Sequence, residues 1–132
     1  MDENLFKQRT KRLALRIIEI VESLPKNRTA NVLGRQLLRS GTSMGANYRA
    51  ACRGKSTADV IAKLRIVEEE ADESIYWMEL LIESGLVSET RVTELLQETN
   101  EIIAMTVASI RTLQKSDASS PINRQSKIEN LK

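Results

Sequence analysis

The sequence contains no histidine and a single cysteine, Cys52, among its 132 residues. Without histidine, the chain lacks the commonest general base of enzymes and the Glu-x-x-His motif of ferritin-like di-metal bundles. A lone cysteine excludes a disulfide within the chain and is typical of a reducing compartment. The charge of Arg53 would lower the pKa of a neighbouring thiol, but with no histidine present we expect Cys52 to be a small packing residue.

Turn-forming and aromatic residues are also scarce, with five glycines, two prolines and four aromatic side chains. This scarcity favours long helices with short connections over a sheet. No apolar run reaches the roughly 18 residues that a membrane span needs, and charged residues occupy the start, where a secretion signal would be apolar. No glycine-rich phosphate loop or serine-centred elbow is present. We therefore expect one cytoplasmic domain that is not an enzyme and needs no cofactor or metal.

Apolar residues recur at helical spacing in four segments that end near residues 24, 53, 84 and 113. Asn27 or Thr29 is a suitable N-cap for the second helix, and Ser56 for the third. Gly85 suits the C-terminal end of the third helix. This pattern predicts an all-α, up-down-up-down four-helix bundle over residues 1–113. Residues 114–132 have no sustained periodicity, so we expect a mostly disordered tail.

The second helix carries Gly41 and Gly45 in its interior. Each glycine costs a helix about 1 kcal/mol relative to alanine, so we expect another helix to approach closely at these positions. Ser40, Ser43 and Asn47 form a polar seam, which we define by these three residues. A buried amide needs partners, and we expect the seam to fix helix register through hydrogen bonds. The alternative for Asn47 is an amide that faces a ligand.

Charge is divided unevenly along the chain, although the net charge is only +2. Residues 1–55 hold 12 basic and 4 acidic side chains, whereas residues 56–113 hold 4 basic and 12 acidic ones. This polarity indicates a polyanionic partner, self-association of unlike faces, or neutralisation of the two halves within one bundle. Seven arginines lie on stripes of the first two helices: Arg9, Arg12, Arg16, Arg35, Arg39, Arg49 and Arg53.

These arginines suggest a nucleic acid as partner, because basic surfaces bind phosphate backbones without regard to sequence. Stacking aromatics are few, which favours a duplex or a folded RNA over single-strand base recognition. One alternative is that the arginines pair with the acidic helices of a neighbouring subunit, and another is a plain solvated face. A basic face against an acidic one is a heterologous contact, which closes into a ring if the rotation permits.

Hydrophobic residues outside the core faces are candidates for a subunit contact. They lie on the first and third helices with one glutamate among them, and comprise Leu15, Ile18, Ile66, Glu73, Trp77 and Leu80. The alternative is a set of scattered surface hydrophobics. The acidic residues of segment 68–73 are dense enough to suggest a Mg²⁺ site, but we expect a solvated or salt-bridging face.

Several short motifs carry a family resemblance. They are QLLRS at residues 36–40, Ser43, NYR at 47–49, ADES at 71–74, YW at 76–77, LL at 80–81 and GL at 85–86. Over about residues 5–113 the chain resembles the bacterial four-helix-bundle proteins, also called 23S rRNA intervening-sequence proteins. It departs from them at Ala50, where members often have glutamate.

The resemblance implies a four-helix bundle that assembles into a cyclic pentamer and has no established enzymatic activity. The family is also similar in architecture to the accessory protein of diversity-generating retroelements, a basic pentameric barrel that binds nucleic acid and a reverse transcriptase. Our first hypothesis is a homo-oligomer that binds RNA or DNA through a basic face. The second is a protein–protein adaptor or accessory subunit, for example of a reverse transcriptase, whose charges serve assembly.

Overall fold

The computed structural model describes residues 2–119, which form four α-helices and no strand. The helices are α1 (Glu3–Glu22), α2 (Arg28–Cys52), α3 (Thr57–Glu83) and α4 (Glu89–Ser119). Each helix packs on the next in the chain, and α1 also contacts α4, so the four helices close into a ring of neighbours. The short connections make consecutive helices antiparallel. The predicted all-α fold is confirmed over these residues.

Capping groups mark three of the predicted helix ends. The side chain of Asn27 accepts a hydrogen bond of 2.8 Å from the Ala30 N–H at the start of α2. The Ser56 hydroxyl accepts one of 3.1 Å from the Asp59 N–H at the start of α3. After α3, Gly85 has a φ of 78°, a left-handed conformation that glycine adopts without strain. The Ser56 and Gly85 predictions are therefore confirmed, and Asn27 rather than Thr29 is the cap of α2.

Two helix ends differ from the predicted positions. Helix α1 ends at Glu22, where the Ser23 hydroxyl donates to the Ile20 carbonyl at 2.7 Å and competes with further helical bonding. Helix α4 continues to Ser119, six residues past Leu113. Residues 114–118 are exposed, so the apolar periodicity of the sequence does not predict this extension of α4. Residues 120–132 of the predicted tail lie outside the described residues.

The core lies where the apolar faces of all four helices meet. The Phe6 ring of α1 packs on the Tyr48 ring of α2 with centroids 4.0 Å apart. Buried threonines of α4, Thr99 and Thr106, donate to carbonyls one turn earlier, which satisfies their hydroxyls. The large side chains that are fully buried include Leu13, Ile17, Leu37, Met44, Val67, Met78, Leu81, Val92, Leu95 and Ile102.

Glycines allow α2 to approach α1 closely. A Cβ added at Gly41 would lie 2.7 Å from Cδ1 of Ile17, and one at Gly45 would lie 3.1 Å from Oγ1 of Thr10. Both distances are tighter than ordinary packing contacts, so a side chain at either position would push the helices apart. Gly34 is also buried on α2. The predicted close approach is confirmed, and its partner helix is α1.

The polar seam does not form one network. The Ser74 hydroxyl of α3 donates to the Ser40 hydroxyl at 2.7 Å, and both residues are fully buried. Ser43 instead donates to the Arg39 carbonyl at 2.7 Å. The Asn47 amide donates to the Ser43 carbonyl at 2.9 Å. Only Ser40 of the three therefore makes a hydrogen bond between helices in the described part of the chain, because the other two side chains bond back to α2.

Candidate nucleic-acid interface

Two of the seven candidate arginines are ion-paired to α4. Arg9 donates Nε and Nη2 to the Glu98 carboxylate at 2.8 and 3.0 Å, and Nη2 also lies 3.3 Å from Glu101. The hydrogen bond from Arg9 lowers the pKa of the Glu98 carboxyl, although partial burial opposes the shift. Arg16 lies 2.7 Å from a carboxylate oxygen of Glu94. Both guanidinium groups are engaged before any partner binds.

Arg39 is held against the acidic segment of α3. Its Nη1 lies 3.1 Å from Oε2 of Glu70, and its Nη2 contacts the Glu73 carboxylate. The hydrogen bond to Glu73 is the main cause of a raised pKa at Arg39. The indole N–H of Trp77 donates to the same carboxylate at 3.3 Å. Two residues of the acidic segment are therefore ion-paired, as expected for a salt-bridging face.

The remaining four arginines are exposed and make no ion pair with any residue of the range 2–119: Arg12, Arg35, Arg49 and Arg53. Lys11 of α1, which the sequence reasoning missed, is exposed and equally unpaired within that range. Arg35 and Arg49 lie about 21 Å apart along α2 at 1.5 Å per residue. Exposed cations thus line much of α2.

A surface groove of about 570 Å³ separates residues 4–14 of α1 from residues 42–49 of α2. We call it the α1–α2 groove. Lys7, Lys11 and Arg49 are its charged lining residues, and no carboxylate lines it. A second groove of about 350 Å³ lies farther along the same pair of helices and includes Arg35. Glu22 also lines this second groove. Arg35 and Arg49 therefore border depressions between the two basic helices, and of these two only the α1–α2 groove is free of carboxylates among the described residues.

The predicted subunit-contact residues lie on two different helices. On α1, Leu15 is 54% exposed and Ile18 is 36% exposed, so both are available for contact. On α3 the predicted residues Ile66, Glu73, Trp77 and Leu80 are half-buried. Trp77 packs partly against the core, whereas its neighbour Tyr76 is the more exposed ring. Tyr76 lies one helical turn from the predicted residue Leu80 and therefore shares its face, which was the available signal for Tyr76.

The Cys52 thiol is not activated by the arginine beside it. Burial is the largest cause of a raised pKa for this thiol, and a hydrogen bond with Glu3 acts in the same direction. A raised pKa keeps a thiol protonated and unreactive near neutral pH. Arg53 is not among the groups that shift this pKa, and Cys52 is partly buried against the core, in agreement with the packing role expected from the sequence.

Residues 2–119 contain no group of three or more cysteine, aspartate or glutamate side chains placed to hold a metal ion. Within the same range, no helix combines the length and apolar character that crossing a bilayer requires.

Comparison with known proteins extends the motif resemblance. The family model described as 23S rRNA-intervening sequence protein matches residues 2–108. The chain belongs to this family. It is also similar to a protein with unknown function from the S23 ribosomal protein family of Bacteroides thetaiotaomicron VPI-5482, whose crystal structure was determined at 1.70 Å resolution. That match has 35% identity and a TM-score of 0.78, and it covers 84% of this chain and 99% of the other. No curated protein matches the chain.

Proposed function

We propose that this protein binds nucleic acid through the outer face of α1 and α2, with most contacts to the phosphate backbone. The observation that carries the proposal is the presence of exposed, unpaired cations on this face, including Lys11, Arg35 and Arg49, within residues 2–119. A phosphate can form an ion pair with such a cation without first displacing a carboxylate of the same chain. Counterion release from the nucleic acid then drives binding.

The proposal includes self-association into a ring, with the pentamer that the family resemblance implies. Leu15 and Ile18 support a subunit contact because they expose large aliphatic side chains on α1. A ring would present several copies of the basic face, and simultaneous binding of weak phosphate contacts would raise the overall affinity for nucleic acid. We propose a cytoplasmic binding protein rather than an enzyme, because the whole chain offers no histidine as general base.

The direct test is Arg35→Glu combined with Arg49→Glu. Arg39 is left intact because Glu70 and Glu73 already hold it. We expect at least a tenfold loss of affinity for RNA, with the slope of log affinity against log salt reduced by about 2. Fluorescence anisotropy of labelled duplex and single-stranded RNA across a salt series measures both quantities.

A matched control is Arg65→Glu combined with Arg111→Glu. It makes the same charge change at exposed arginines of α3 and α4, and we expect affinity within about twofold of the original protein. Equal losses in the two double variants would contradict a localised face, and absence of binding by the unmodified protein would contradict the function itself. A fall in oligomer mass by light scattering for the Arg35 and Arg49 variant alone would assign these charges to assembly.

A further inference from the structure

We infer that the α1–α2 groove holds a ribose–phosphate unit of RNA, so that the protein prefers RNA to DNA of the same sequence. This inference rests on the proposed function and names the part of the basic face where the backbone is seated. A groove of about 570 Å³ falls within the range of about 300–1,000 Å³ that is typical of small-ligand sites. One nucleotide unit therefore has room in it, whereas a whole duplex does not.

The groove stays open because small residues line it. Ala14 of α1 lies opposite Gly45 and Ala46 of α2, and none of the three extends beyond a Cβ. The close approach of Gly45 to Thr10 holds the two helices at a separation that longer side chains would not permit. The depression is thus a consequence of the glycine packing that joins α1 to α2.

The charge of the groove favours an anion from both sides. Lys11 belongs to the α1 wall and Arg49 to the α2 wall, and neither has an ion-pair partner within residues 2–119. Lys7 adds a third cation, although it lies 3.0 Å from the Glu3 carboxylate. By contrast, the groove beside Arg65 is lined by three carboxylates, those of Glu68, Glu69 and Asp72. A phosphate is therefore attracted to the α1–α2 groove and repelled from that acidic one.

Neutral polar side chains give the groove a means of recognising a sugar hydroxyl. Asn4 and Gln8 lie one helical turn apart on its α1 wall, and in the described residues no hydrogen bond occupies either side-chain amide. Each side-chain amide supplies two N–H donors and one carbonyl acceptor. The ribose 2′-hydroxyl also donates and accepts, and it is the group by which proteins distinguish RNA from DNA. Deoxyribose would leave these amides without that partner.

The experiment fills the groove without changing its charge. Ala46→Leu replaces a methyl with an isobutyl side chain at an exposed position, so the fold should be retained. We expect at least a fivefold loss of affinity for a labelled 20-nucleotide RNA. The control is Ala104→Leu, the same change at an exposed position of α4, which should leave affinity unchanged. Circular dichroism and urea unfolding establish that both variants fold.

The sugar preference is tested with matched RNA and DNA strands. We expect the unmodified protein to bind RNA at least threefold more tightly and Gln8→Ala to reduce that ratio. Equal affinity for RNA and DNA overturns the inference, and so does equal RNA binding by Ala46→Leu and Ala104→Leu. In both cases the proposed function survives if the Arg35 and Arg49 variant still loses affinity. If the unmodified protein binds neither strand, the proposed function fails and the inference fails with it.

Discussion

The two sides of α2 are built differently. Toward α1, Gly41 and Gly45 bring the helices together by removing side chains, and Arg49 beside them has no carboxylate in its groove. Toward α3, Ser40 hydrogen-bonds Ser74 at 2.7 Å, and ion pairs to acidic residues hold Arg39. The contrast shows that the availability of an arginine depends on which neighbouring helix it lies beside. A basic helix packed on a basic helix leaves its cations free for a partner.

The same division appears on α1. Arg9 and Arg16 lie beside α4 and reach its glutamates, whereas Arg12, on the same helix, is exposed and makes no ion pair with residues 2–119. The acidic half of the chain therefore neutralises part of the basic half within one bundle. Of the cations that stay free, Lys11, Arg35 and Arg49 border the grooves where the two basic helices meet.

The largest expected effect on stability comes from disrupting the contact that Gly41 allows between α2 and α1. Gly41→Leu would place a side chain where even a Cβ lies 2.7 Å from Ile17 Cδ1. Although leucine is a better helix former than glycine, overpacking a well-packed contact costs typically about 1–3 kcal/mol. We expect the free energy of unfolding to fall by about 3 kcal/mol in urea denaturation. The control is Ala46→Leu, where an exposed side chain should change stability by less than about 0.5 kcal/mol. Similar midpoints for the two variants would mean that α1 and α2 do not need this close contact.

A smaller effect is expected at the α1–α4 ion pair. Because Arg9 lowers the pKa of Glu98 in the folded state, this carboxylate stabilises the fold above its unfolded pKa of about 4.3. The contribution is lost as pH falls through the folded pKa. Glu98→Gln should lower the free energy of unfolding by about 1 kcal/mol at pH 7 and flatten its decline on acidification. Urea unfolding between pH 7 and pH 3 measures both.

Glu94→Gln is the comparison for that variant. Glu94 pairs with Arg16, but its side chain is 77% exposed, and exposed ion pairs contribute little to stability. We expect Glu94→Gln to change the free energy of unfolding at pH 7 by less than about 0.5 kcal/mol. A loss equal to that of Glu98→Gln would mean that the partial burial of the Arg9 pair is unimportant.

Much of the fold could be predicted from the sequence because each helix carries its own periodic apolar face. Phe6, Leu13 and Ile17 are spaced to meet one core, and all three are fully buried. The interior glycines of α2 likewise predict a close contact with another helix. They do not identify the partner, because a missing side chain is compatible with either neighbouring helix.

The candidate site was harder to predict, because it depends on how helices are rotated against each other. On a helical wheel Arg39 falls in one ridge with Arg35 and Arg49, and only the packing of α3 reveals that Arg39 is paired. The acidic segment at residues 68–73 was a signal for such pairing, but it did not specify the arginine. The α1–α2 groove could not be predicted from the sequence of either helix, since its volume is set by the distance between the two helices.

A smaller change in stability than that of Glu98→Gln is expected from freeing Arg39, which sharpens the contrast between the two sides of α2. Glu70→Gln combined with Glu73→Gln removes both ion pairs, while the side-chain amide introduced by the second substitution keeps an acceptor for the Trp77 indole. The Arg39 side chain is 47% exposed and that of Glu73 37%, whereas that of Glu70 is 17% exposed. These partly exposed pairs should contribute less than about 1 kcal/mol to stability. If the face that binds nucleic acid reaches Arg39, affinity should rise and the salt slope should steepen by about 1.

A control variant must separate the effect of total charge on affinity from the effect of releasing the Arg39 guanidinium. Glu79→Gln combined with Glu83→Gln removes the same charge at exposed positions of α3 and frees no arginine. Equal gains in affinity for the two double variants would mean that nucleic acid responds to the overall field of the protein. No gain in either would confine the binding face to the α1 side of α2. A gain for the Glu70 and Glu73 pair alone means that intramolecular pairing keeps Arg39 from phosphate, since the arginine count is the same in both variants.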